Sequence, residues 1–190
     1  YKWMKWFTKK ARMFNPQCKI IIGNSVAGSI PEIFLSNSDA DIAVIGEGEL
    51  TTGEVVQKII KDDDDDWENV EGIAFKSKSG KVVINKNRKG MKKLDDFPMI
   101  NWNKFDTEKY FTKSYAGAHA IDDKQVRVMP VVTARGCAFR CTFCHFVFWN
   151  DPYRYRSPEN ILCELKRNIT NFGCNYITFW DDLSFASLPQ

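Results

Sequence analysis

VRVMPVVTARGCAFRCTFC, residues 126–144, runs from an apolar, β-branched stretch straight into three of the chain's six cysteines. The apolar part reads as a buried strand, and Gly136 marks where it turns into a loop. Downstream, Ser157-Pro158-Glu159 has the form of a helix start, with a capping hydroxyl, a proline in the first turn and an acid near the positive end of the dipole. The helix PENILCELKRNIT then ends near Asn171-Phe172-Gly173, and YITFWDD (176–182) reads as a second strand. A strand, a loop, a helix and a strand predict two parallel strands of an α/β unit. The cysteine loop then follows a strand's C-terminal end, where such sheets and barrels carry their active sites.

Upstream the same alternation occurs once more. Residues 2–14 set basic and apolar groups at helical spacing until Asn15-Pro16 breaks the pattern. CKIIIGNS reads as a short buried strand and a loop, SIPEIFLSN as a helix opening at Pro31, and DIAVIGEGE as a strand breaking at Gly46 and Gly48. LTTGEVVQKII is a helix reaching toward Lys61. The order α-β-α-β-α with fully apolar strands predicts a parallel sheet covered on both faces. Asp62–Asp66 form a run of five aspartates without the glycine and terminal glutamate of a calcium loop, so they read as a solvated turn. VEGIAFKSKSGKVVINKN alternates around Ser79-Gly80 as a hairpin. From Arg88 to Phe111 the periodicity is weak, as in a linker packed on its neighbours. The organisation expected is 1–66 as one α/β part, 67–125 as hairpin and linker, and 126–190 as the start of a second α/β domain.

The net charge of +3 over 190 residues is too small, and the basic residues too scattered, to argue for nucleic acid as the main partner. YKWMKWFTKKARMF is basic, aromatic and amphipathic, and is read as a helix packed on a sheet rather than one lying on a membrane. No apolar run approaches the roughly 20 residues that span a bilayer, and no signal peptide is evident. A cytoplasmic setting follows, in which clustered thiols point to metal or redox chemistry rather than disulfides. The chain starts within an apparent helix and stops just past a strand, so it reads as part of something longer, with little turnover of its own.

Cys137, Cys141 and Cys144 make C-x3-C-x2-C. Structural zinc sites take four ligands in two short pairs, and ferredoxin-type runs supply a fourth cysteine. Here the site is one ligand short, which on a four-iron cluster leaves one iron open to an exogenous ligand. The competing assignment is a structural zinc site completed by His145 or Cys163, in a structural or RNA-binding module, since aromatic and basic residues flank the loop. Cys18, Cys163 and Cys174 read as small core residues. Arg154 and Arg156 are either surface charges or partners for a carboxylate or phosphate. Phe146, Phe148 and Trp149 read as core.

The run Cys137-Ala138-Phe139-Arg140-Cys141-Thr142-Phe143-Cys144 resembles the signature of the radical S-adenosylmethionine (SAM) enzymes. Its context, with R.RSPENI..E and ITFWDD downstream and DIAVIGEGELT, a hairpin and LDDFPMINW upstream, is similar to the subgroup with an N-terminal cobalamin (B12)-binding domain. That resemblance implies the C-terminal half of a Rossmann-like cobalamin-binding domain followed by the start of a partial (β/α) radical SAM barrel. It implies a 4Fe-4S cluster on Cys137, Cys141 and Cys144, with SAM on the open iron. Phe143 would lie near the adenine, and Asp181 and Asp182 near the methionine amino group. Reductive cleavage of SAM, fed by an electron donor such as flavodoxin or ferredoxin, would yield a 5′-deoxyadenosyl radical for hydrogen abstraction or cobalamin-mediated methyl transfer. Methylation, ring closure and methylthiolation share this front end. Gly23, Asn24 and Ser25, and Gly46, Glu47, Gly48 and Glu49, would line the cofactor's nucleotide tail. A D-x-H-x-x-G cobalt-binding motif does not occur in these residues; the two histidines are His119 and His145.

Overall fold

Ile21, Ile42, Phe75 and Val83 stand in one row across four paired strands, and Ile22, Ala43, Ala74 and Ile84 form the next row. Because successive strand residues point to opposite faces, these two rows build two cores. The computed structural model of the chain describes residues 1–61, 66–111, 126–144 and 152–184. It divides into two compact units, one of them Tyr1–Gly90 and the other beginning at Met91.

In the first unit the order is α1 (Lys2–Phe14), β1 (Ile21–Ile22), α2 (Asn24–Ser29), α3 (Pro31–Ser36), β2 (Ile42–Val44), α4 (Gly48–Ile60), β3 (Ile73–Lys76) and β4 (Val82–Ile84). The sheet runs β1-β2-β3-β4. On one face Ile22, Ala43 and Ala74 pack with Ala27, Phe34, Leu35 and Ala40. On the other, Ile42, Ile73 and Phe75 pack with Val55, Trp67 and Val70. Phe34 and Leu35 are fully buried, which stabilises the fold by about 1.5–3 kcal/mol for each. Arg12, near the end of α1, donates to the carbonyls of Pro16 and Cys18 at 2.9 and 2.6 Å and to Asp41 Oδ2 at 2.6 Å. The same oxygen accepts from Ile20 N at 2.7 Å, so one ion pair fixes the helix end to the starts of β1 and β2.

Both faces of the sheet are covered, as the apolar strands imply, but the sheet is mixed. Only β1 and β2 are parallel; β3 and β4 add antiparallel. The hairpin therefore extends the first sheet and falls within Tyr1–Gly90, whereas the sequence pattern groups it with the linker. Its alternating strands are equally compatible with a free hairpin, and only the facing row of β2 decides between the two. Residues 24–29 form helix α2 where the sequence predicts a loop, because Asn24, Ser25 and Gly28 are poor helix formers. Asn24 offsets this by capping: its Oδ1 accepts from Val26 N and Ala27 N at 2.9 and 3.3 Å. Helix α1 packs through Met4 and the buried Thr8, yet Trp3, Trp6, Phe7 and Phe14 stay more than half exposed.

The second unit holds α5 (Thr107–Phe111), β5 (Val128–Val131), β6 (Ala134–Arg135), β7 (Arg154–Tyr155), α6 (Pro158–Phe172) and β8 (Tyr176–Phe179), with short 3-10 turns at Leu94–Asp96 and Trp102–Lys104. β5 and β8 are parallel, Val128 beside Tyr176 and Val131 beside Phe179. Helix α6 connects them, with Ser157 Oγ accepting from Asn160 N at 3.2 Å and Pro158 in its first turn. The small core here is Met129 and Cys174, with Trp102, Phe172 and Ile177 against them. Architecture is α/β in both units. Of the cysteines read as core, Cys174 is buried and Cys18 half-buried, but Cys163 is exposed on the outer side of α6. His119, His145, Phe146, Phe148 and Trp149 and most of the aspartate run lie outside the described residues. Among the described residues no helix is long and apolar enough to cross a membrane.

Candidate functional site

The cysteine loop grows from the C-terminal ends of two adjacent parallel strands. Trp180 N donates to Val131 O at 3.0 Å, which carries the β5–β8 pairing one step past the strands. Immediately beyond it, Asp181 turns its carboxylate onto the start of the loop. Oδ1 accepts from Thr133 N at 2.6 Å and Ala134 N at 3.0 Å, and Oδ2 accepts from Thr133 Oγ1 at 2.6 Å. Thr133 and Ala134 are buried.

A second set of bonds holds the loop base from the other side. β6 pairs antiparallel with β7, and Arg156 N donates to Thr133 O at 2.9 Å. The Arg156 guanidinium reaches Val132 O at 2.8 Å, Asn160 Oδ1 at 2.8 Å and Glu164 Oε2 at 2.5 Å. Arg154, itself buried, donates to Met91 O at 2.7 Å and Pro152 O at 3.2 Å. Neither arginine is a surface charge or a free anion receptor: both are tied into the frame beneath the loop. The RYRSPEN pattern could not show this, because Glu164 meets Arg156 only once α6 has formed. Gly136 completes the frame with φ +85°, and a Cβ there would lie 3.2 Å from Pro152 O. Only glycine suits that combination of left-handed backbone and close approach.

From this base the loop reaches into solvent. Cys137 is half-buried, and Phe139 N donates to its Sγ at 3.4 Å. Cys141 and Cys144 are exposed and joined by a turn, Cys144 N donating to Cys141 O at 3.0 Å. All three thiols are free. Among the described residues no three His, Cys, Asp or Glu side chains converge tightly enough to hold a metal ion. The donor set nonetheless fits a thiophilic centre: three soft sulfur ligands on a short loop, one already receiving a backbone N–H. Phe143 is 89% exposed, and Asp182 is exposed where Asp181 is engaged.

In the first unit, Gly23–Ser25 follow β1 and Gly46–Glu49 follow β2, so the parallel pairing brings both small-residue turns to the same end of the sheet. The link between them is close, since a Cβ on Gly28 would lie 3.7 Å from Ile45 Cα and Val44 O. Gly46 has φ +79° and open space around it. Glu47 stands at the N-cap position of α4, with Gly48 and Glu49 in its first turn. Gly23 and Asn24 also line an apolar groove of about 590 Å³ bounded by Trp3, Met4, Phe7 and Ile22. Gly46–Glu49 do not line that groove.

No protein-family model matches the chain. It is 28% identical over 92% of its length to cytidylyl-2-hydroxyethylphosphonate methyltransferase of Streptomyces wedmorensis, of which it spans 36%. It is 29% identical over 90% of its length to the anaerobic magnesium-protoporphyrin IX monomethyl ester cyclase of Rubrivivax gelatinosus, spanning 30% of that enzyme. Among solved structures, the cobalamin-dependent S-adenosylmethionine radical enzyme OxsB, with aqua-cobalamin and S-adenosylmethionine bound, superposes with a TM-score of 0.72 at 22% identity. That match covers 97% of this chain and 24% of OxsB. The chain thus spans about a quarter to a third of the proteins it matches. In sequence the chain is similar to a methyltransferase and a cyclase, and in fold it is similar to a cobalamin-dependent S-adenosylmethionine radical enzyme.

Proposed function

We propose that the chain is the portion of a cobalamin-type radical SAM enzyme, a methyltransferase or cyclase, that joins the cobalamin-binding half to the first part of the catalytic barrel. The observation that carries this reading is the set of three free thiols in C-x3-C-x2-C spacing, mounted past the C-terminal end of a strand in a parallel β-α-β unit. Cys137, Cys141 and Cys144 would hold a 4Fe-4S cluster, with Cys141 and Cys144 drawing in toward the half-buried Cys137. When bound, such a cluster supplies one electron to the sulfonium of SAM.

This chain's own residues do the rest. Phe143, 89% exposed on the loop, offers a ring face for the adenine. Asp182, exposed at the end of β8, offers a carboxylate to the substrate ammonium. Asp181 stands beside it with both oxygens already accepting from Thr133 and Ala134. In the first unit, read as the C-terminal half of a Rossmann-like domain, Gly23–Ser25 and Gly46–Glu49 would meet the nucleotide tail of cobalamin. Small turns at the C-terminal ends of parallel strands admit such an approach. A donor of the flavodoxin or ferredoxin kind would deliver the electron.

The test is anaerobic reconstitution of the chain with iron and sulfide, followed by metal analysis and EPR of the reduced protein. About four irons per chain, with a spectrum that changes when SAM is added, is the expected result. Zinc taken up in place of iron would overturn the radical assignment. Co-elution with hydroxocobalamin tests the first unit separately, and its absence would remove cobalamin from this chain's account.

A further inference from the structure

Asp181 is engaged in a way that a residue waiting only for a ligand is not. Three donors converge on its carboxylate: Thr133 N and Oγ1, each at 2.6 Å, and Ala134 N at 3.0 Å. Thr133 O in turn accepts from Arg156 N. The peptide groups on both sides of Thr133 are therefore fixed, one by β8 and one by the strand that returns from the loop. Gly136 then turns the chain out of the frame toward Cys137. Ala134 is the third residue before Cys137, so the direction in which the loop leaves the sheet is set at this carboxylate.

We propose that Asp181 is a positioning residue for the cysteine loop. It acts through Thr133 and Ala134 to fix where Cys137 stands and so how the three thiols can close on one centre. Asp182, its exposed neighbour, is left as the carboxylate of this pair that meets SAM. The proposal rests on the reading of Cys137, Cys141 and Cys144 as ligands to a common centre.

Asp181→Ala, Thr133→Val, Thr133→Ser and Asp182→Ala are compared with the parent chain in iron and sulfide content, EPR and amide hydrogen exchange. Asp181→Ala should lower affinity for the metal centre about tenfold, as removal of outer-shell support does. It should also speed exchange at the Thr133 and Ala134 amides in the metal-free protein, with unchanged far-UV circular dichroism. Thr133→Val keeps both backbone bonds and loses the hydroxyl, so it should lose affinity to a smaller degree, and Thr133→Ser should restore it. Asp182→Ala should keep the metal centre and weaken the spectral response to SAM.

A folded Asp181→Ala that takes up metal like the parent overturns the proposal. So does one that keeps its cluster but no longer responds to SAM, which would make Asp181 a ligand contact. Should Asp181→Ala fail to fold, Thr133→Val decides, and parental affinity in that variant overturns the proposal. If the parent takes zinc, the radical reading fails on its own, and loss of zinc in Asp181→Ala still supports the positioning role.

Discussion

Glu164 is the buried counter-ion of Arg156: 2.5 Å separates Oε2 from Nη1, and the two side chains are 5% and 12% exposed. The pair joins the core-facing side of α6 to the strand returning from the cysteine loop. Glu164→Ala should strand a buried guanidinium beneath the loop at a cost of about 3–5 kcal/mol. Arg156→Met with Glu164→Leu should recover most of that loss, because an apolar pair of similar volume removes both charges. Urea unfolding of the two variants beside the parent measures it, and a single substitution as mild as the double would show that the pair is in effect solvated.

Gly136 and Gly46 both have positive φ but differ in surroundings. Gly46→Ala meets only the left-handed backbone, with nothing within 4 Å of the new Cβ, and should cost about 1–2 kcal/mol. Gly136→Ala meets Pro152 O at 3.2 Å as well, and should cost more, about 2–3 kcal/mol. Equal losses in thermal or urea unfolding would mean that the Pro152 segment gives way freely.

The same contrast shows what was legible in the sequence. Cys137, Cys141 and Cys144 are a local pattern, and the structure carries all three on one loop past β5 with their thiols free. Helix α6 announced itself through Ser157 and Pro158, and β5 and β8 through β-branched runs. The frame beneath the loop was not legible, since it joins Thr133 to Asp181 across 48 positions and Arg154 to Met91 across 63. Helix α2 was hidden because its stability comes from Asn24 capping and from Ala27 in the core, not from helix propensity. The mixed sheet was missed because a hairpin's alternation does not say which strand it will join.

Glu108 and Arg127 form a surface pair at 2.6 Å. The hydrogen bond from Arg127 holds the Glu108 carboxyl below the ordinary carboxylate range. A depressed carboxylate contributes stability that is complete above its unfolded value and is lost as pH falls through the lowered folded value. Arg127→Gln should therefore move the Glu108 midpoint up toward the ordinary range, as read by NMR titration of its carboxyl carbon. At its exposure the pair is screened, so the stability of the parent should change little across this acid window. An unmoved midpoint would mean that Arg127 does not hold this carboxylate in solution.

The six thiols should react in an order set by their surroundings. Cys141, Cys144 and Cys163 are exposed, Cys18 and Cys137 half-buried, and Cys174 is 3% exposed. Burial pushes the Cys174 thiol up, only partly offset by the Tyr176 and Met129 backbone, so little of its reactive thiolate exists near neutral pH. Timed alkylation followed by peptide mass analysis should label Cys141, Cys144 and Cys163 first and Cys174 last in the metal-free chain. After reconstitution the order should split, because thiols bonded to a metal centre no longer react. Cys141 and Cys144 should fall silent together with Cys137, while Cys163, equally exposed on α6, keeps its rate. Protection of Cys163 along with the loop would make it a fourth ligand and favour a closed structural site. If Cys141 and Cys144 are protected but Cys137 is not, the loop does not bind through all three thiols, and no open iron needs to be invoked.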